Sequence, residues 1–324
     1  FKQKTAYEML RSLVGSEMCI RDRLIMDEGM ERRGESAKER VANAFPMADE
    51  TRLPPAADAL LALEDVYKSF GAMRVLDGIT LRIKKGETVA VIGRSGTGKS
   101  VMLRLFVGLL APDRGRVIFA GEDISSFDAQ RLDAMRQRMS MLFQSGALFD
   151  SMSVADNVAF GLRVRGEGNE AVIAERVRHY LALVGLASAH KKMPSELSGG
   201  MRKRVALARA IATSPEIVFY DEPTTGLDPI TAAAIADLII RTREAMRGRD
   251  VTSVVVTHDM QVALKVADRI VMLHAGRIAA EGTPAYFRAL QAGIPLHTYT
   301  PTDMLIAQFV RGEADGPLTA AGLA

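Results

Sequence analysis

The sequence predicts an α/β protein with an antiparallel β layer, a parallel-sheet core and an inserted helical subdomain. Three observations carry this. Short apolar runs alternate with longer helical runs from Leu61 to about Leu290. Several of the short runs, such as Ile217–Asp221 and Thr252–Thr257, are dominated by apolar or β-branched residues, the pattern of strands covered on both faces. Between Ser145 and Leu197 the pattern turns mostly helical.

Composition bounds the classes available. Of 324 residues, 48% are hydrophobic and 25% charged, enough apolar material for a large core. A net charge of +3 without a stripe of like charge is no nucleic-acid footprint, and no nucleic-acid partner is expected. No apolar run approaches the roughly 18 residues of a membrane-spanning helix. The chain is expected to be soluble, or held at a membrane by a partner. No secretory leader pattern is read. The single cysteine, Cys19, leaves no internal disulfide and no cysteine-based zinc site, which fits the cytosol.

In chain order, residues 1–23 open on Phe1 and show no clean period. They are read as a non-native tail, with a native disordered leader as the alternative. Residues 24–60, charged and then rich in Pro and Ala through Pro54-Pro55-Ala56-Ala57, read as a flexible lead-in. Strands are expected at Leu61–Val66, Ile79–Ile83, Thr88–Ile92, Val117–Ala120, Met139–Phe143, Ile217–Asp221, Thr252–Thr257 and Arg269–Leu273. The early ones are short and turn-linked, hence the antiparallel layer. Val172, Ile173, Val177, Leu181 and Val184 recur at helical spacing before Gly185, a plausible stop.

Thr88–Ile92 runs into Gly93-Arg94-Ser95-Gly96-Thr97-Gly98-Lys99-Ser100, which fits G-x-x-x-x-G-K-[ST], and then into an apolar helix-like run from Val101 to Leu109. A strand before and a helix after are the setting a phosphate-cradling loop needs. Glycines turn the backbone so that its N–H groups meet phosphate oxygens, and the helix N-terminus adds positive potential. Lys99 is expected to reach the outer phosphates and the Ser100 hydroxyl to ligate Mg2+. The chain is therefore expected to bind a nucleoside triphosphate.

Other candidates follow strands. Asp221 ends a buried strand and is expected to help hold magnesium. Glu222, next along, is expected to orient or activate the attacking water. His258 and Gln144 each follow a strand, where ligands gather in such sheets. His258 is assigned a γ-phosphate contact, a satisfied surface histidine being the alternative. Gln144 is assigned magnesium or water. Ser198-Gly199-Gly200 precedes a helical run from Met201 to Ala212, either an anion site or an ordinary capped helix. Asp228 with Pro229 reads as a helix start.

In this order, Gly93–Ser100, Gln144, Leu197-Ser198-Gly199-Gly200, Asp221-Glu222, Thr225-Gly226-Leu227-Asp228 and His258 resemble the ATPase subunit of an ABC transporter, over about Leu61 to Leu290. The resemblance implies a P-loop NTPase fold, ATP and Mg2+ as ligands, and ATP hydrolysis. It implies a head-to-tail homodimer in which each ATP lies between one chain's phosphate loop and the other chain's Ser198-Gly199-Gly200. It puts Phe70 on the adenine, with Tyr67 the less favoured candidate and plain core the alternative for Phe70. Asp228 would shape the dimer interface. Met201 stands where the family usually has Gln and cannot supply amide hydrogen bonds. Thr225-Gly226 replaces the commoner Ser-Ala.

Leu197–Met201, Phe143–Phe149, Asp228–Thr231 and Gln308–Pro317 are similar to a narrower branch, the Mla-type, MCE-associated phospholipid transport ATPases. That likeness implies an integral-membrane permease, an MCE lipid-binding protein, a small cytosolic partner, and a peripheral place on the inner face of the cytoplasmic membrane. An ATPase for another cargo, or a non-transport ABC protein, is the alternative. The expected division is an ATPase domain at 61–290, a helical subdomain at about 145–200 and a C-terminal extension at 291–324. Leu148, Phe149, Met152, Val154, Val158 and Phe160 are expected to dock the permease or to form a local core. The tail from His297 is expected to clasp a partner subunit or to be disordered.

Overall fold

A computed structural model describes residues 58–246, 250–292, 300–314 and 316–320. The tail of 1–23, nearly all of the lead-in, Cys19 and His297 lie outside the described residues. β1 (Ala59–Phe70) and β2 (Met73–Lys84) form an antiparallel hairpin in which Phe70 pairs with Met73. β3 (Thr88–Ile92) is buried throughout and feeds α1 (Lys99–Phe106). β4 (Arg114–Phe119) and β5 (Glu122–Asp123) precede α2 (Ala129–Gln137), whose first turn Asp128 caps. After β6 (Met139–Leu142) come three helices. They are α3 (Val154–Val164), α4 (Glu170–Leu183) and α5 (Gly199–Ala212), capped by the side chains of Ser153, Asn169 and Ser198. Gly185, at φ +71°, stands two residues beyond α4 in the left-handed conformation that ends helices.

β7 (Ile217–Asp221), α6 (Pro229–Ala245), β8 (Thr252–Thr257), α7 (Met260–Val266), β9 (Arg269–His274) and β10 (Arg277–Gly282) follow. α8 (Pro284–Gln291), α9 (Pro301–Arg311) and α10 (Pro317–Ala320) come last. Among the described residues there are two sheets, ordered β2-β1-β4-β5 and β10-β9-β3-β8-β7-β6. The first is antiparallel, as expected. The second is parallel apart from its edge strand β10.

Two strands were not expected. β5 has two acidic residues and no apolar pattern. β10 carries a single large apolar residue, Ile278, and is paired through a tight turn at Ala275 and Gly276, with φ of +46° and +75°.

The core lies in three clusters. The first joins the three inserted helices to β7 and α6. Val154 and Val158 are fully buried in it, and Leu162, one further turn along, is buried with them. The expected docking surface therefore loses Val154 and Val158, which are core. Leu148 packs partly against the same cluster, and the Phe149 and Phe160 rings meet at 4.7 Å. The second cluster fills the space between the two sheets' strands and α1.

The third cluster joins Ala90 and Ile92 of β3 with Leu305, Ile306 and Val310 of α9 and with Leu318. Over its described part, the extension expected from residue 291 is thus packed into the same core as the strand before the phosphate loop. α9 is locked by reciprocal hydrogen bonds between Thr300 and Asp303 and by the Tyr286 hydroxyl, which donates to Asp303 Oδ1 at 2.6 Å.

Ile306 is wholly buried, so Ile306→Ala is expected to lower unfolding free energy by about 2–5 kcal/mol in a urea titration. A dangling tail would give almost nothing. Burial opposes ionisation of Asp303, yet the hydroxyls of Tyr286 and Thr300 and the Thr300 N–H hold its carboxyl below the ordinary value. That contribution is present above the unfolded carboxylate pKa and is lost as pH falls through the folded one. Asp303→Asn should therefore flatten part of the stability loss seen below about pH 4.

Candidate functional site

The site is built by strand pairing. β3, β8, β7 and β6 are neighbours and run the same way, so their C-terminal ends open on one edge. Ile92 pairs with Thr257, Asp221 with Val256 and Leu142 with Tyr220. The next residues along the chain are Gly93, His258, Glu222 and Phe143-Gln144. The four strands therefore deliver the phosphate loop, the histidine, the two carboxylates and the glutamine to one rim.

The phosphate loop is shaped by backbone that favours glycine. Gly93, Gly96 and Gly98 have φ of +153°, +82° and +98°. A Cβ at Gly93 would lie 2.5 Å from the Leu273 carbonyl oxygen, so the strand ahead and the sheet behind leave no room for one. Lys99, 6% exposed, donates its Nζ to the carbonyls of Gly93 at 2.7 Å and Arg94 at 2.9 Å. Burial holds its ammonium below the usual range, against the pull of Glu222 and Asp221. Thr97 Oγ1 donates to Arg94 O at 2.9 Å, closing the turn. Ser95 and Gly96 are exposed. The Arg94 side chain leaves the loop, and its guanidinium donates to the Leu318 carbonyl at 3.1 Å.

Ser100 Oγ donates to Asp221 Oδ1 at 3.3 Å. A hydroxyl and a carboxylate so placed are the hard-oxygen donors that suit magnesium. Glu222 has φ +48°, a left-handed conformation that costs a non-glycine residue of order 1 kcal/mol or more and concentrates at functional sites. Its carboxylate is held from several sides. His258 Nδ1 lies 2.7 Å from Oε2, Thr225 Oγ1 donates to Oε2 at 3.1 Å, and Lys99 Nζ lies 3.9 Å from Oε1. A carboxylate only accepts, so Nδ1 of His258 carries the proton in this bond. His258, assigned at first to the γ-phosphate, is thus bonded to Glu222 here.

Gln144 is partly buried, and its main-chain carbonyl accepts from Lys203 Nζ. Phe70 ends β1 and is 39% exposed, which removes the reading of it as plain core. Lys68 Nζ stands 5.7 Å from its ring centroid. The Tyr67 ring is covered by the Arg114 guanidinium at 5.0 Å.

Ser198 caps α5 through Oγ, which accepts from the Met201 N–H at 3.2 Å. A Cβ at Gly200 would meet Thr231 Cγ2 at 2.6 Å, so this turn abuts the start of α6, where Asp228 caps. Among the described residues, no hydrogen bond or ion pair joins Ser198, Gly199 or Gly200 to Gly93–Ser100 of the same chain. The bond from Thr225 to Glu222, the part played by Lys203 and Arg94's reach to Leu318 escaped sequence reading. Thr225, three residues after Glu222 in a tight turn, is the one whose spacing hinted at a contact.

The sequence profile of the ABC transporter family matches residues 76–225. The ATP-binding protein MlaF of the intermembrane phospholipid transport system of Escherichia coli (strain K12) is 43% identical over 259 residues, 80% of this chain and 91% of that one. This chain belongs to the ABC transporter family. As an ABC ATPase it is also similar to the Protein TRIGALACTOSYLDIACYLGLYCEROL 3, chloroplastic, of Arabidopsis thaliana. The two are 40% identical over 285 residues, 84% of this chain and 79% of the plant protein. Among solved structures, a dimeric ATP-binding cassette in a post-hydrolysis state, bound to ADP and phosphate, matches with a TM-score of 0.63 and 31% identity. The match covers 69% of this chain and 98% of that one. The ABC ATPase fold expected from the sequence is the fold observed.

Because the Gly93 backbone has no space for a side chain, Gly93→Ala is expected to destabilise the nucleotide-free protein by about 1–3 kcal/mol in urea. ATP affinity measured by calorimetry should fall with it.

Proposed function

We propose that this ABC ATPase drives intermembrane phospholipid transport, with Asp221 serving magnesium and Glu222 the attacking water. The observation that carries the catalytic reading is Glu222 at the mouth of the phosphate loop, hydrogen-bonded to Thr225 and His258 and ion-paired with Lys99. Lys99 would neutralise the outer phosphates, exchanging the carbonyls it now holds for phosphate oxygens. Ser100, Asp221 and Gln144 would hold magnesium, which supplies charge neutralisation at the transferring phosphoryl group. Glu222 would accept a proton from the attacking water, with His258 and Thr225 fixing the carboxylate's direction. A positioned base of this kind contributes about 10²–10⁴-fold. Phe70, exposed at the end of β1, would stack on adenine.

We infer that two copies of the chain enclose two ATP molecules. The support is the turn Ser198-Gly199-Gly200, whose capped helix end makes no bond to its own phosphate loop, together with the dimeric cassette it resembles. Phospholipid cargo is supported by the identity to the phospholipid-transport ATPase of Escherichia coli. An integral-membrane permease, an MCE lipid-binding protein and a small cytosolic partner go with that reading. No helix among the described residues is long and apolar enough to cross a membrane. Attachment to the inner face of the cytoplasmic membrane would therefore run through the permease. Phe149, Met152 and Phe160 are the remaining candidates for that contact.

Glu222→Gln is expected to leave ATP affinity within about twofold while kcat falls at least 10²-fold. Turnover at the parent rate would move the base elsewhere. Lys99→Ala should weaken ATP binding itself in the same calorimetric titration. Purifying the chain with its membrane partners tests the cargo. An MCE-domain protein in the complex is the expected result, and a soluble amino-acid-binding protein would overturn it.

A further inference from the structure

Helix α5 carries two cations committed to the main chain of the loop after β6. Lys203, 6% exposed, donates to the Gln144 carbonyl. Arg209, nearly two turns further along, donates to the carbonyls of Ala147 at 2.7 Å and Gly146 at 3.0 Å. Its guanidinium also lies 5.6 Å from the centroid of the Phe149 ring. Burial pushes Arg209 down to about 10, and no nearby carboxylate offsets it among the described residues. It is still charged at neutral pH, with carbonyl dipoles as its counter-charge. The loop is folded to present those oxygens. Gly146 and Ala147 have φ of +82° and +45°, and a Cβ at Gly146 would lie 3.5 Å from Ala206 Cβ on α5.

From the other side, the fully buried Asn157 of α3 takes the same loop's continuation. Its Nδ2 donates to the carbonyls of Phe149, Met152 and Ser153, and its Oδ1 accepts from the Phe149 N–H. Side-chain bonds, several of them charge-assisted, hold a loop that has no strand or helix pairing of its own.

We propose that Lys203 and Arg209 are positioning residues that fasten the Gln144 loop to the helix headed by Ser198-Gly199-Gly200, so that the two move as one body. This rests on the reading of Gln144 and Ser198 as nucleotide contacts. Gln144 completes the chain's own ATP site, and the Ser198 turn completes its twin's. A displacement of the loop by the permease then reaches both sites together. The 53 residues of covalent chain between Gln144 and Ser198 would not transmit it directly.

The test is steady-state ATP hydrolysis by the full chain carrying Lys203→Met. kcat is expected to fall roughly 10- to 100-fold, the scale of a misplacement of about 1 Å. KM for ATP should stay within about twofold, as for an interaction used in the transition state. Lys203→Arg, which keeps a charged donor, should return kcat to within about threefold of the parent. A parent-like kcat in Lys203→Met overturns the proposal. So does a loss that Lys203→Arg does not restore and that tracks a lower thermal midpoint. Should Lys203→Met not fold, Arg209→Lys decides. Faster hydrogen exchange across residues 144–149 with the kcat loss supports the clamp, and parent-like kcat overturns it. The parent and Glu222→Gln run alongside. An inactive parent, or an active Glu222→Gln, counts against the nucleotide-site reading and leaves the clamp's own readouts distinct.

Discussion

The constraint on which everything else depends is the in-register parallel pairing of β3, β8, β7 and β6. A parallel ladder fixes which residue stands beside which, and every strand's C-terminal end then points the same way. One slip of β7 against β8 would turn Asp221 and Glu222 to the opposite faces and part Glu222 from His258. β3 and β8 are buried at every position, so a one-residue slip would exchange the side chains packed on each face and break the fit of both.

The parallel core and the order of its motifs were legible because buried strands leave continuous apolar runs, and because a loop that must wrap phosphate needs glycine at set positions. β10 was not legible. An edge strand with one large apolar residue looks like any short polar connection. The burial of Val154 and Val158 was legible in principle. With Leu162 they stand four residues apart along one helix face, which marks a core stripe. Lys203 and Arg209 look in sequence like the solvated face of a helix, because a bond to a main-chain carbonyl leaves no mark on the sequence of the residue that accepts it. The same holds for Arg94, whose partner is a carbonyl more than two hundred residues away.

The rim around Glu222 shows how local strain and hydrogen bonding divide the labour. The backbone at Glu222 is turned to positive φ by the sharp exit from β7, and the N–H of Glu222 is fixed on Val256 O at 2.9 Å. The carboxylate is aimed by Thr225 and His258 from different stretches of chain. Both sit where a small rotation would redirect the carboxylate relative to the phosphate loop.

The packing of α9 against β3's cluster has a bearing on how the chain is made. Ala90 and Ile92 leave the ribosome long before Leu305, Ile306 and Val310 exist, and Arg94 finds Leu318 across 224 positions. Throughout that interval the newborn domain carries a bare apolar flank beside its nucleotide loop, a window in which chaperones would find it. Only once residues 301–318 have emerged can the flank close.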